Sequence, residues 1–254
     1  LQSGFEFIPF GDTDALEAAM RDDVAALFVE PIQGEAGVVD LPAGFLARAR
    51  QLTKQYGALL ILDEIQTGIG RTGEWFAYQR EGVEPDAVTI AKGLAGGVPI
   101  GAFWLSDRTV ADDGTPLSSL MGPGSHGSTY GGNPLVCAAS LAVLREIREK
   151  NLAENAILQE VRIRETVRSW KLPVITEIRG QGLLLGVGLD PALIPTPEGK
   201  TPALVVVEKL MDAGLIVPPA GPNTFRLLPP LNVTDAEVDE ALGIIRAVLE
   251  SLPA

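Results

Sequence analysis

Two short apolar runs, Leu59-Leu60-Ile61-Leu62 and Ala87-Val88-Thr89-Ile90-Ala91, each stop abruptly at a polar residue. The first stops at Asp63-Glu64, with Gln66 just beyond, and the second stops at Lys92. Runs of this length, rich in Ile, Val and Leu and bounded by Gly and Pro, read as strands buried on both faces of a parallel sheet. Strands of such a sheet present their carboxyl ends at one edge, where open α/β folds place ligands. The pattern therefore predicts an α/β fold that brings an acid, an amide and an amine to one crevice.

The chain has 254 residues, enough for one large domain or two modest ones. Its formal charge of −13 repels phosphate backbones, so a nucleic-acid partner is not expected. No apolar run approaches the length of a membrane span. The one cysteine, Cys137, excludes an internal disulfide and suits a reducing, cytoplasmic compartment. The opening Leu1-Gln2-Ser3-Gly4 has neither an initiator Met nor the pattern of a signal peptide, so the chain reads as the later part of something longer.

Taken in order, Phe5–Phe10 reads as a strand, and Asp12 or Thr13 caps a short helix reaching Arg21. Ala25–Val29 reads as a buried strand leading to Glu30-Pro31-Ile32-Gln33-Gly34-Glu35, and a helix follows Pro42 and stops at Gly57. Ala102–Leu105 is a further strand, followed by a loop from Asp107 to Gly124. His126–Leu135 then turns into a helix ending near Lys150, where the domain boundary is placed. Residues 1–150 are thus assigned to a large domain with a mostly parallel sheet, and 151–254 to a smaller α+β domain. The latter begins with an amphipathic helix over Leu152–Trp170 and ends with one that starts at the capping box Thr234-Asp235-Ala236-Glu237.

Lys92, emerging from a buried strand, is a candidate nucleophile able to form a Schiff base; taken alone it reads sooner as a strand-end lysine reaching solvent. Asp63, at the tip of an apolar run, demands a partner. A pyridinium nitrogen of pyridoxal phosphate is one; a helix N-cap or a metal are alternatives, the metal disfavoured by a single His and no Cys cluster. Ser128-Thr129, flanked by Gly127, Gly131 and Gly132, offers hydroxyls and backbone N–H groups to a phosphate, or is a plain turn. Arg226 is suited to a carboxylate or to a surface ion pair, and Glu35 to a pocket wall or to solvent.

Together, the Val29–Val38, Leu62–Gly73, Ala91–Leu94, His126–Leu135, Arg179–Leu183 and Arg226–Leu231 stretches resemble the class III, fold-type-I pyridoxal-phosphate aminotransferases, most closely their acetylornithine branch. The likeness runs the length of the chain, in order. It implies that Lys92 is the Schiff-base lysine and proton shuttle, that Asp63 bonds the pyridine nitrogen, and that Gln66 bonds the ring's O3′. It further implies that Thr129, with Ser128 beside it, reaches the cofactor phosphate of the neighbouring subunit of a homodimer. Arg226 is then the grip on a substrate α-carboxylate, and Glu35 its partner in one half-reaction and not in the other.

The implied reaction is transamination of N2-acetylornithine with 2-oxoglutarate, as in arginine biosynthesis. Ornithine, succinylornithine, 4-aminobutyrate or a lysine-pathway amine are alternative donors; an aminomutase or a catalytically inactive partner chain are alternatives of another kind. The resemblance also implies that an N-terminal third carrying a phosphate-binding turn lies outside this sequence, and that the 254 residues by themselves do not turn over.

Overall fold

The computed structural model describes residues 3–109 and 114–252. In chain order the regular elements are α1 (Thr13–Ala19), β1 (Ala26–Val29), β2 (Ile32–Gln33), β3 (Val39–Asp40), α2 (Phe45–Gln55), β4 (Leu59–Asp63), β5 (Ala87–Ile90) and β6 (Ala102–Leu105). There follow α3 (Pro134–Glu149), α4 (Leu152–Trp170), β7 (Ile175–Gln181), β8 (Leu184–Leu189), α5 (Pro202–Asp212), β9 (Thr224–Leu227) and α6 (Asp235–Glu250). The chain divides into two compact units. The first comprises residues up to Pro31, Leu41–Gln66 and Ala77–Val143; the second comprises Ile32–Asp40, Thr67–Phe76 and everything from Leu144 on.

The first unit is built on a sheet of order β1-β4-β5-β6. β1, β4 and β5 are parallel, and β6 returns antiparallel to β5 with Thr89 opposite Phe103. Parallel neighbours need a long crossover, which α2 provides between β1 and β4. The amphipathic spacing of α2 turns Phe45, Leu46, Ala49 and Leu52 onto Leu60 and Leu62 of β4, and Leu16 and Met20 join this core.

Within this chain the two faces of the sheet differ in burial. Leu60 and Leu62 are fully buried beneath the helices, whereas Leu59, Ile61 and Asp63 on the opposite face are half-buried. Phe28, in register with Ile61, and Phe103, in register with Thr89, are largely exposed on that opposite face. Helices of this unit cover one face, and β1 and β4 alternate in burial with a period of two, which β5 and β6 do not follow. The Phe5–Phe10 stretch, expected as a strand, forms no ladder; Phe5 and Phe7 are exposed, and Pro9 has no N–H to donate. The loop expected over Asp107–Gly124 contains a short 3₁₀ turn, Leu117–Met121; its residues 110–113 lie outside the described ones.

The second unit holds the antiparallel sheet β7-β8-β9. β8 is buried along its whole length, with Leu185, Val187 and Leu189 packed among Ile163 and Val167 of α4, Val206 and Leu210 of α5, and Leu242 and Ile245 of α6. The capping box opens α6 as expected: Thr234 Oγ1 accepts the Glu237 N–H, and the Glu237 carboxylate accepts the Thr234 N–H. The β2–β3 hairpin lies against this sheet. Its approach is possible because β8 has glycine at position 186, where a Cβ would come within 2.9 Å of Val38 Cβ and 3.0 Å of the Gly37 carbonyl oxygen.

Candidate functional site

Register places Asp63, the last residue of β4, opposite Thr89 of β5, three residues before Lys92. The Asp63 Oδ1 accepts the Ile65 N–H at 2.9 Å and the Thr89 hydroxyl at 3.1 Å. These bonds fix the carboxylate on the less covered face of the sheet, at its carboxyl edge. The adjacent acid has a different fate. Glu64 is buried, and its carboxylate accepts the backbone N–H groups of Ala77 at 3.1 Å and Tyr78 at 3.0 Å. Burial, together with the negative charges of Glu64 and Glu84, pushes the Tyr78 phenol up. Glu64 thus pins the segment after the glycine-rich loop, while Asp63 faces outward.

β5 ends at Ile90, two residues short of Lys92. Lys92 itself opens a 3₁₀ turn, Lys92–Ala95, with φ at +45°. A lysine in the left-handed region costs on the order of 1–2 kcal/mol relative to ordinary backbone. The expected strand-end lysine is therefore a lysine on a strained turn, and it is exposed. Gln66 is half-buried just beyond Asp63.

Ser128 and Thr129 lie on an exposed turn. Ser128 Oγ accepts the Gly131 N–H at 3.1 Å, which closes the turn. Asn133 then ties it to α3: Nδ2 donates to the Tyr130 carbonyl at 2.8 Å, and Oδ1 accepts the Leu135 and Val136 N–H groups. Among the described residues neither Ser128 nor Thr129 hydrogen-bonds to Asp63 or Lys92.

The second unit joins Arg226 and Glu35. Arg226 on β9 donates from Nη1 to Glu35 Oε1 at 2.8 Å and from Nη2 to Oε2 at 3.2 Å, a two-pronged pair across 191 positions of sequence. The two ends differ in burial: the arginine side chain is 8% exposed and the glutamate 70%.

Two residues that sequence reading gave no role hold the hairpin bearing Glu35. Arg179 donates from Nε to the Gly37 carbonyl at 2.7 Å and from Nη2 to Thr224 Oγ1 at 2.9 Å. Asp40 accepts the Gly180 N–H at 2.9 Å and the Gln181 side-chain amide at 3.0 Å. The one available signal was the arginine inside Arg179-Gly180-Gln181-Gly182. In the loop Thr67–Gly73, Arg71 donates to the carbonyls of Leu183 at 3.1 Å and Pro229 at 2.7 Å, and burial lowers its guanidinium to about 10. Among the described residues no group of three or more His, Cys, Asp or Glu is placed to hold a metal ion.

The family model for aminotransferase class-III matches residues 10–249. The acetylornithine aminotransferase of Mycobacterium leprae is 42% identical over 244 residues, which are 96% of this chain and 56% of that one. The ornithine aminotransferase of Exiguobacterium sp. is 42% identical over 250 residues, 98% of this chain and 58% of that one. Among solved structures, the ornithine aminotransferase of Toxoplasma gondii, which holds pyridoxal phosphate at partial occupancy in its active site, superposes with a TM-score of 0.88 at 37% identity. That superposition covers 99% of this chain and 57% of the other. The chain thus spans just over half the length of the curated relatives it matches. A match this long, on a fold with this sheet, makes the chain a member of the class-III aminotransferases, a fold-type-I family dependent on pyridoxal phosphate.

Proposed function

We propose that the protein containing this chain transfers the δ-amino group of N2-acetylornithine to 2-oxoglutarate. The observation that carries the reading is the Glu35–Arg226 pair. A buried guanidinium stripped of its carboxylate costs about 3–5 kcal/mol, so Arg226 has to be matched at every stage. Glu35, being mostly exposed, is a partner that water readily receives. A substrate α-carboxylate takes its place with the same two-pronged geometry, and Glu35 returns when that substrate leaves. One pocket thereby serves a donor amine with Glu35 docked and a dicarboxylate with Glu35 displaced.

The residues at the sheet edge fit pyridoxal phosphate. Asp63 is held by two bonds to one oxygen in a half-buried position, suited to keep a pyridine nitrogen protonated. Gln66 is the residue for O3′ and Lys92 the amine for the aldehyde carbon. The cofactor, when bound, supplies an electron sink for the substrate carbon. Lys92 would take the proton from the substrate carbon as a base in one direction and return it as an acid in the other. Ser128 and Thr129, exposed on their own chain, are assigned to the phosphate of the neighbouring subunit's cofactor, which makes the working unit a homodimer.

The acetylornithine relative names the donor on which this reading rests; ornithine is the second reading, favoured by the equal identity to the ornithine aminotransferase. The test uses the complete protein loaded with pyridoxal phosphate and no keto acid, following the cofactor's visible absorbance. Discharge by N2-acetylornithine at concentrations far below those needed for ornithine or 4-aminobutyrate is expected. Discharge by another amine alone overturns the substrate, and failure of the cofactor to attach to Lys92 overturns the reaction.

A further inference from the structure

At the amino-terminal edge of the first unit's sheet, remote in register from Asp63 and Lys92, one buried carboxylate is shared by two arginines. Asp86 is 1% exposed. Its Oδ2 accepts the Leu60 N–H and Arg50 Nη1, both at 2.8 Å, and its Oδ1 accepts Arg108 Nε at 2.5 Å. Arg50 comes from α2, Asp86 from the start of β5, and Arg108 from just after β6. The cluster therefore fastens α2, β4, β5 and β6 together.

The donors outnumber the acceptors. Arg50 Nη1 also reaches the Glu84 carbonyl at 3.2 Å. Arg50 Nε and Nη2, Arg108 Nη2 and Ser106 Oγ are buried and have no hydrogen-bond partner among the described residues. The Arg50 side chain is 91% buried, so these donors are not met by bulk solvent. The three residues line one cavity of about 260 Å³, together with Lys54, Tyr78, Glu84 and Asp86. Arg50, Lys54 and Arg108 against Glu84 and Asp86 leave one positive charge in excess, in a chain whose formal charge is −13. Water in the cavity would meet the hydrogen bonds and not the charge; a compact anion with several acceptors meets both. A water's share of liquid volume is about 30 Å³, so there is room for such an ion with part of its hydration shell.

We infer that this cavity binds a free oxoanion of phosphate size, held by Arg50, Arg108, Lys54 and Ser106. The site is independent of the transaminase reading. Its occupation ties the helix to three strands at the edge of the sheet opposite the one carrying Asp63 and Lys92, so it acts on stability.

The experiment is thermal unfolding of the complete protein loaded with pyridoxal phosphate, so that the cofactor's own phosphate fills its place. Inorganic phosphate is titrated against chloride at constant ionic strength. The melting temperature is expected to rise along a saturating curve, as a ligand selective for the folded state requires. Arg108→Gln is expected to abolish the rise. Lys54→Gln, a change at an exposed position, is expected to weaken binding about tenfold, the size of one lost charge-assisted hydrogen bond. A rise that does not saturate, or that both variants retain in full, overturns the site and leaves a general salt effect. If Arg108→Gln does not fold, Lys54→Gln decides alone.

Discussion

Arg226 and Glu35 are chemically a simple pair, and their unequal burial is what gives them a use. Removing the charge of the exposed partner by Glu35→Gln leaves Arg226 poorly matched in the absence of a dicarboxylate. The Michaelis constant for 2-oxoglutarate should then fall while the donor half-reaction slows, by about tenfold for each 1.4 kcal/mol of lost pairing. Arg226→Lys, which cannot bind two oxygens in a plane, should instead raise that constant at least about tenfold. Steady-state kinetics with each substrate varied separates the two. Lys92 makes a second case. Its left-handed backbone favours glycine, so Lys92→Gly should gain on the order of 1 kcal/mol in urea unfolding of the cofactor-free protein while transamination is lost. Lys92 and Glu35 stood out in the sequence because one follows an apolar run and the other lies in a glycine-flanked turn; Arg226, buried within β9, stood out as a charge in an apolar strand. Which of Asp63 and Glu64 faces outward was not legible; that depends on the N–H groups of Ala77 and Tyr78, which reach Glu64 only once the loop has folded back.

At the level of elements, the β2–β3 hairpin is the part whose placement matters most to the pair. Four residues of regular ladder cannot hold it by themselves, and Arg179 and Asp40 supply the fastening. Arg179→Met keeps the apolar stem and removes the donors. It should cost about 1–3 kcal/mol in stability by leaving the Gly37 carbonyl unmet. It should also shift the Michaelis constant for 2-oxoglutarate in the same direction as Glu35→Gln, a change that lost packing alone would not produce. Helix boundaries were readable to within a few residues, because caps and periodicity are local: Asp12 opens α1 and Thr234 opens α6. The Phe5–Phe10 segment was misread because composition shows that a run is apolar, not that a neighbour exists to pair with it. Arg179 went unassigned because its sequence neighbour Glu177 offers it a local ion pair, while the Gly37 carbonyl and Thr224 hydroxyl it also holds lie 142 and 45 residues away.

For the molecule as a whole, acid response turns on Asp86. Burial pushes its carboxyl up, but the bonds from Arg108, the Leu60 N–H and Arg50 outweigh burial and hold it below the ordinary carboxylate range. A carboxyl depressed on folding stabilises the protein above its unfolded value, near 4, and that contribution fades as pH falls through the lower folded value. Asp86→Asn should therefore be less stable at pH 7 and should lose less stability between pH 5 and pH 2 than the parent, as urea midpoints across that range would record. Phe28 and Phe103 bear on the same whole. A sheet that leaves two aromatic rings wet on one side offers an adhesive surface, and two copies meeting there would hide it from water. The 254-residue chain, made alone and concentrated, should become turbid once salt screens its −13 charge, and replacing those two rings with serine would delay the onset.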